Sequence, residues 1–231
     1  MKKNGRGVVY VVWGNDPKYE RALERSRRSL AAFHPELPVE IIRPSATDPI
    51  EGLREKARLF SLTPFAETLF LDVDTVVFDR LDFGFDKAAR FGLACCICEC
   101  PWARRYAKSV KGDVVEYNTG VLFFTERCAE LFAAWEELTP ELDASMLVIE
   151  DGKLKGEMPF ADQCAFAVAI ERTGANPFVL PLNWNFRPAW QKSFFGPIRI
   201  WHAFDDPPPI YSQMAQYYRS DEAVIQYAAL N

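Results

Sequence analysis

Between Val8 and Phe78 the chain alternates three apolar runs with two segments of helical periodicity, and this order constrains the fold more than any other feature. Val8 to Trp13 is a continuous apolar run of the kind a strand buried on both faces requires. Asn15 and Asp16 followed by Pro17 mark a helix start: a capping side chain, then a proline in the first turn. Tyr19, Leu23, Ser26, Leu30 and Phe33 then recur at helical spacing until Pro35. Val39 to Ile42 reads as a second strand. Glu51 to Leu62 reads as a second helix with Leu53, Ala57 and Phe60 as its buried stripe, and Thr68 to Phe78 as a third strand. Such an alternation predicts a parallel sheet with helices on its faces. Ligands of such sheets collect beyond the carboxyl ends of the strands, where Gly14, Asn15, Asp72 and Asp74 are expected.

The third strand, TLFLDVDTVVF, carries Asp72 and Asp74 one residue apart. Side chains two apart in an extended strand share a face, so both carboxylates are expected to point the same way. Oxygen-rich carboxylate sites suit Mg²⁺ or Mn²⁺, and these ions usually keep positions open for phosphate oxygens. A strand ending in a polar turn would produce the same letters, because Asp readily hydrogen-bonds its own backbone there.

A chain of 231 residues can bury the core of one large α/β domain, expected here to span residues 1–231. The net charge of −5 gives no reason to expect nucleic acid or an anionic membrane as partner, so phosphate binding would have to be local. No run approaches the ~20 apolar residues of a membrane span. Gly14-Asn15-Asp16-Pro17 ends the first apolar run early and offers no small-residue cleavage site, which argues for a strand and against a secretory signal. Four of the six cysteines, Cys95, Cys96, Cys98 and Cys100, fall in one strand-like stretch. Neighbours in a strand do not easily meet disulfide geometry, and structural zinc ligands normally come in turn-bearing pairs. Buried free thiols in a reducing cytoplasm are the expectation.

Downstream, the pattern predicts a strand from Phe91 to Cys98, a basic loop from Trp102 to Lys111 and a strand from Gly120 to Phe124. A helix from Glu126 to Leu138 follows, then a polar stretch from Glu150 to Glu157, a helix from Asp162 to Thr173 and a short strand from Phe178 to Leu182.

Five blocks in order carry a resemblance. EKARLFSLTPFAETLFLDVDTVV (Glu55 to Val77), YNTGVLFF (Tyr117 to Phe124), ADQCAF (Ala161 to Phe166), LPLNWNFR (Leu180 to Arg187) and a histidine closing the β run at His202 resemble the family-8 glycosyltransferases, the group that includes glycogenin. The resemblance spans most of the chain. It implies a single GT-A domain, Rossmann-like, with a mostly parallel central sheet flanked by helices. It implies transfer of a sugar from a nucleotide-diphosphate donor, by family analogy a UDP-sugar, to an unknown acceptor with retention at the anomeric carbon. By the same resemblance Asp72, Asp74 and His202 bind the metal, Mn²⁺ or Mg²⁺. Trp13, Gly14, Asn15, Tyr19 and Val73 hold the nucleotide, and Asn118, Thr119, Gly120 and Gln163 line the donor-sugar pocket. Lys56, expected on the polar side of its helix, contacts the donor, and Asp162 sits beside the reacting carbon as the candidate catalytic carboxylate.

Each of these residues also has a plain structural reading: Tyr19 continues a buried stripe, Asn118-Thr119-Gly120 spells a turn, and Asp162 can cap a helix. Lys56 can be a solvated surface lysine and His202 an interfacial aromatic beside Trp201. The chain departs from the family after His202, where AFDDPPP replaces the usual Gly and Lys; Lys192 and Arg199 are the substitutes available for the second diphosphate contact. Two other functions compete. DVDTVV also fits the haloacid dehalogenase phosphatases, with Asp72 as nucleophile and Asp74 as general acid. That family usually places this strand near the start of its core and needs neither an Asn-Thr-Gly nor an Asp-Gln element. The other is a sugar-nucleotide-binding protein without catalysis, or a GT-A nucleotidyltransferase, although the Gly-rich, lysine-bearing first loop of the latter is missing.

Overall fold

The computed structural model describes residues 3–14, 16–45, 49–100, 103, 110, 113–143, 145–158, 162–191, 193–195, 197–210 and 227–229. Strand β1 (Arg6–Val11) is buried along nearly its whole length. Helix α1 (Pro17–Phe33) begins where Asp16 accepts a hydrogen bond from the Lys18 backbone N–H at 2.8 Å, and it buries Ala22, Leu23, Ser26 and Leu30. Strand β2 (Val39–Ile42) pairs parallel with β1, Val8 opposite Val39. The helix expected over Glu51 to Leu62 is two: α2 (Pro49–Ala57) and α3 (Leu59–Leu62), broken at Arg58. Strand β3 (Glu67–Leu71) then pairs parallel with the other edge of β1, Arg6 opposite Glu67.

The chain does not continue straight through the two aspartates, as the sequence pattern suggests it should. Asp72 N–H bonds Gly120 O at 2.8 Å, and Thr75 Oγ1 returns a hydrogen bond to Asp72 O at 2.8 Å. The resulting turn sends β4 (Thr75–Val77) out of the main sheet. Helix α4 (Asp82–Phe91) ends at Gly92, whose φ of 91° is the left-handed conformation that glycine adopts without strain. Strand β5 (Leu93–Ile97) follows, and β6 (Tyr117–Thr125), buried at every residue, lies antiparallel between β3 and β5. The basic loop expected over Trp102 to Lys111 falls outside the described residues except for Ala103 and Val110.

A 3-10 turn (Glu126–Cys128) leads into α5 (Ala129–Glu141). The stretch expected to be merely polar forms a hairpin, β7 (Met146–Glu150) and β8 (Lys153–Met158). Its two-residue turn, Asp151-Gly152, has positive φ at both positions, 51° and 72°, the form that matches strand twist. Helix α6 (Asp162–Thr173) has the expected bounds. Strand β9 is only Phe178–Val179, parallel to β5, and the chain then turns in 3-10 form over Leu182–Trp184. Strands β10 (Ser193–Phe195) and β12 (Tyr227–Ala229) pair with each other, while β11 (Ile200–His202) pairs antiparallel with β4.

The main sheet has six strands in the order β2-β1-β3-β6-β5-β9, with β6 running opposite to the rest. Alternate residues of β1 feed two cores. Val9 and Val11 pack with Ala57, Leu59, Phe132, Trp135 and Phe166 of α2, α3, α5 and α6. Val8 and Tyr10 pack with Leu23, Leu30, Phe85 and Ala88 of α1 and α4. This is the three-layer mostly parallel α/β architecture read from the strand–helix alternation. Because β6 is reversed, its amino end lies beside the carboxyl end of β3, which gathers Tyr117 to Gly120 with Asp72 and Asp74. Among the described residues no helix is long and apolar enough to cross a membrane.

Candidate metal and nucleotide site

Asp72 and Asp74 lie in the turn between β3 and β4, and the β4–β11 pairing sets His202 opposite Thr75. One ligand atom from each of the three residues falls within 4.8 Å of the others. His202 Nε2 is 3.3 Å from Asp74 Oδ1 and 3.6 Å from Asp72 Oδ2. Gly120 makes this approach feasible: a Cβ there would stand 2.3 Å from His202 Cε1 and 2.6 Å from Asp72 Oδ2.

The tautomer of His202 follows from a chain of amides. Gly120 N–H can only donate, and it donates to Asn118 Oδ1 at 2.9 Å. The same oxygen accepts from Asn185 Nδ2 at 2.6 Å, which leaves Asn185 Oδ1 as the acceptor for His202 Nδ1–H at 2.7 Å. The ring proton therefore sits on Nδ1, and the Nε2 lone pair faces two carboxylates. Lone pair against carboxylate is repulsive unless a proton or a cation lies between. In the ion-free protein a proton serves: burial pulls the His202 pKa down, but Asp74 and Asp72 outweigh it and hold the imidazole above its ordinary value.

Lys56 is buried, contrary to the expected polar-side position. Its Nζ lies 3.0 Å from Asp72 Oδ1 and 3.5 Å from Asp162 Oδ2. The two carboxylates explain why a lysine can turn inward, since a buried charge is tolerated when paired. Burial lowers the Lys56 pKa, and Asp72 and Asp162 more than reverse that. Burial pushes the Asp72 pKa up, with Lys56 and His202 only partly offsetting it. At Asp74 burial also raises, but His202 wins and the carboxyl lies below its usual range.

Asp162 opens α6 and is fixed from two sides. Thr119 Oγ1 donates to its Oδ2 at 2.6 Å, and Trp135 Nε1 of α5 donates to its backbone oxygen at 3.2 Å. Gln163, next in the chain, accepts from Asn118 Nδ2 at 2.8 Å. Asn118, Thr119, Gly120, Asp162 and Gln163 are thus brought together beside the two aspartates.

Three carboxylates, Asp72, Asp74 and Asp162, surround one lysine, so two negative charges remain when His202 is neutral. A fixed Nε2 lone pair, two carboxylates and a twofold negative excess fit a divalent cation, with the oxygen and imidazole donors that Mn²⁺ or Mg²⁺ accept.

Above the carboxylates opens a cleft of about 150 Å³ lined by Val11, Val12, Trp13, Tyr19, Leu53, Lys56, Asp72, Val73, Asp74 and Phe204. Of the expected nucleotide residues, Trp13, Tyr19 and Val73 line it, Gly14 (φ 80°) turns the chain at its edge, and Asn15 lies outside the described residues. Sequence reasoning missed Phe204, Gly52 and Asn185. Phe204 faces Tyr19 with ring centroids 5.9 Å apart. Gly52 of α2 seats the Trp13 ring, which a Cβ would meet at 2.4 Å. Asn185 stands inside a recognised block, but no spacing rule points it at His202.

After His202 the chain is clamped by Arg25 of α1, which donates to Ala203 O at 2.6 Å, Phe204 O at 2.7 Å and Asp206 Oδ1 at 2.8 Å. Arg199 is engaged by Asp79 and is not among the residues that line the cleft. Lys192 lies outside the described residues. Lys18 instead stands at the rim, 5.0 Å from the Tyr19 ring and 5.6 Å from that of Phe204. All six cysteines are buried and unbridged, as expected of free thiols.

No protein-family model matches the sequence, and none of the curated proteins compared with it does. Solved structures match it in shape. The galactosyltransferase LgtC, in complex with donor and acceptor sugar analogues, superposes with a TM-score of 0.57 at 12% identity over 94% of this chain and 97% of its own. Mouse xyloside xylosyltransferase 1 gives 0.55 at 12% identity, over 86% and 97%. The glycosyltransferase GlyE of Streptococcus pneumoniae TIGR4 gives 0.56 at 14% identity, over 94% of this chain and 61% of its own. The chain has the fold of these GT-A glycosyltransferases.

Proposed function

We propose that the chain is a divalent-metal-dependent glycosyltransferase, a single GT-A domain of the family-8 type that moves a sugar from a nucleotide-diphosphate donor, a UDP-sugar, to an acceptor with retention. The observation that carries this reading is the Asp72–Asp74–His202 cluster, with His202 Nε2 turned toward both carboxylates beside an aromatic cleft. In this reading Trp13, Gly14, Asn15, Tyr19 and Val73 hold the nucleoside. Asp72, Asp74 and His202 would hold the cation, which would supply Lewis-acid neutralisation of the diphosphate.

The chain's own residues do the rest. Lys56 keeps Asp72 and Asp162 in fixed register and leaves a positive charge near the leaving group. Thr119 and Trp135 immobilise Asp162, and Asn118 orients Gln163, so that the polar groups meant for the donor sugar are set before it arrives. The phosphatase reading is not favoured, because the solved structures that the chain matches in shape are glycosyltransferases.

Calorimetry of uridine diphosphate with Mn²⁺ tests the reading. Binding should collapse in chelator and in Asp74→Ala, and undiminished binding in both would remove the central claim. Asp162→Asn should retain that binding while donor hydrolysis falls by about 10²-fold or more, the scale of a preorganised electrostatic group. Hydrolysis of phosphomonoesters that Asp72→Asn abolishes would move the assignment to the phosphatase.

A further inference from the structure

We propose that Cys98 and Cys100 form an oxidisable dithiol, a second reactive site at which a hydroperoxide closes an intrachain disulfide beside Gln163. Beyond the end of β5 the chain bends so that the two sulfurs lie 3.1 Å apart, about 1 Å from bonding distance. Neither the strand geometry nor the zinc spacing considered from sequence anticipates this, because β5 stops at Ile97 and both cysteines follow it.

Arg187 acts on both sulfurs, and Gln163 adds a further donor at Cys98. The Cys98 sulfur receives N–H donors from Arg187 Nη2 and from Gln163 Nε2, each at 3.4 Å, besides the thiol of Cys100. Arg187 cannot swing away, since its Nε and Nη2 grip both oxygens of Glu99 at 2.9 and 2.7 Å. The charged and titratable groups facing Cys98 are thus Arg187, Glu99 and Cys100, with Gln163 as a neutral donor. The hydrogen bond from Cys100, opposed by burial and reinforced by Arg187, brings the Cys98 thiol below its ordinary value, and the Cys100 thiol moves up. Burial instead raises Cys95 and Cys96, and pushes Cys128 up to about 11, so these remain protonated and inert. Both residues of the pair are buried, so peroxide and reductant reach the sulfurs through local opening of the chain.

The chemistry balances with hydrogen peroxide as oxidant. The Cys98 thiolate attacks one peroxide oxygen, the O–O bond breaks, and hydroxide leaves and takes up a proton, giving a sulfenic acid at Cys98. The sulfur of Cys100 loses its proton and displaces water from Cys98. Two thiols and one peroxide become one disulfide and two waters. The short Cys-Glu-Cys ring is strained, so a dithiol reductant reopens it.

A consequence for catalysis rests on the glycosyltransferase reading. The disulfide removes the acceptor that Cys98 offers to Gln163, and Gln163 is the outer member of the amide chain running through Asn118 and Asn185 to His202. Oxidation therefore lowers donor turnover reversibly.

The test uses the reduced full-length protein, hydrogen peroxide near equimolar, alkylation under denaturant and peptide mapping. Expected is a Cys98–Cys100 disulfide that dithiothreitol reverses, with Cys95, Cys96, Cys128 and Cys164 alkylated. Oxidation should quicken as pH rises and should do so below the pH at which an ordinary thiol ionises. Cys100→Ser should accumulate a dimedone-reactive sulfenic acid at Cys98, whereas Cys98→Ser should give neither adduct nor disulfide. Comparable oxidation of all six thiols, a different pairing, or an unmodified Cys98 in excess peroxide would overturn the proposal. These outcomes are read in the parent protein, so they decide the proposal even where a variant fails to fold. Hydrolysis of UDP-glucose, compared before and after oxidation, should fall at least about tenfold and recover on reduction. Equal hydrolysis in both states refutes the link to Gln163. A reduced protein that neither binds uridine diphosphate nor hydrolyses the donor refutes the glycosyltransferase reading and leaves the thiol map to decide the dithiol.

Discussion

The chain has two histidines, and their surroundings differ in one respect that separates structure from function. Both are largely buried and both have one ring nitrogen bonded to a side chain. At the end of α1, His34 Nε2 accepts the Leu81 backbone N–H at 2.7 Å, and Nδ1 turns to Glu36 at 2.9 Å. That ring is used up: it ties the end of α1 to the start of α4. At the site, His202 gives Nδ1 to Asn185 and presents Nε2 to two carboxylates, with room for a proton or a cation between them. An enclosed imidazole with both nitrogens satisfied is a fastener, and one with a lone pair aimed at acidic groups is a receptor for positive charge.

The largest effect should come from breaking the receptor. His202→Ala should weaken Mn²⁺ binding, followed by the electron paramagnetic resonance of the free ion, by more than about 100-fold, beyond the usual cost of losing an outer partner. Equal affinity in the variant would erase the distinction between the two rings. Next, Asn185→Ala should weaken Mn²⁺ by about 10–100-fold while leaving the fold intact. Ring nitrogen shifts by NMR should then show His202 losing its fixed Nδ1 proton; a parent-like spectrum would mean that the amide chain does not set the tautomer.

The fastener should respond in stability instead. His34→Ala strands the buried Leu81 N–H and should lower the unfolding free energy by about 1–3 kcal/mol in denaturant, with Mn²⁺ affinity unchanged. The smallest effect concerns Glu36, whose carboxyl is brought to about 2, from 4.5, chiefly by the His34 hydrogen bond and further by Arg80. A depressed carboxylate contributes stability that is complete above its ordinary pKa and is lost as pH falls through the folded value. Glu36→Gln should therefore lower stability slightly at neutral pH, where the contribution is complete, and flatten the pH dependence between about 4.5 and about 2. Parallel acid profiles in both proteins would remove Glu36 from the knot.

Much of this is legible in the sequence. The strand–helix order, the Asp16–Pro17 helix start and the bounds of α6 follow from local signals that tertiary packing does not overrule. The convergence of Asp72, Asp74 and His202 is legible only through the resemblance, because nothing local says that β11 pairs with β4. Two misses have physical causes. Helical periodicity assigns Lys56 to a polar face because it sees only its own helix, whereas the partners that draw it inward, Asp72 and Asp162, come from elsewhere in the chain. The β7–β8 hairpin does have a signal, Asp151-Gly152 between alternating apolar residues, which the polarity of the stretch obscures. Phe204 has none, since its place over the cleft depends on Arg25 holding the backbone that follows His202.

The β4–β11 ribbon has a thermodynamic consequence for the life of the protein. It already closes the long loop between the Asp72–Asp74 turn and His202, so a cation seated among those residues adds a second cross-link across the same loop at little further expense of chain entropy. Such a cross-link exists only in the folded chain, and at a hundredfold excess over its dissociation constant it would add about 2.7 kcal/mol to stability. Unlike a disulfide it exchanges freely. Resistance of the C-terminal third to proteolysis, and with it the survival of the whole molecule, should then rise and fall with the supply of metal.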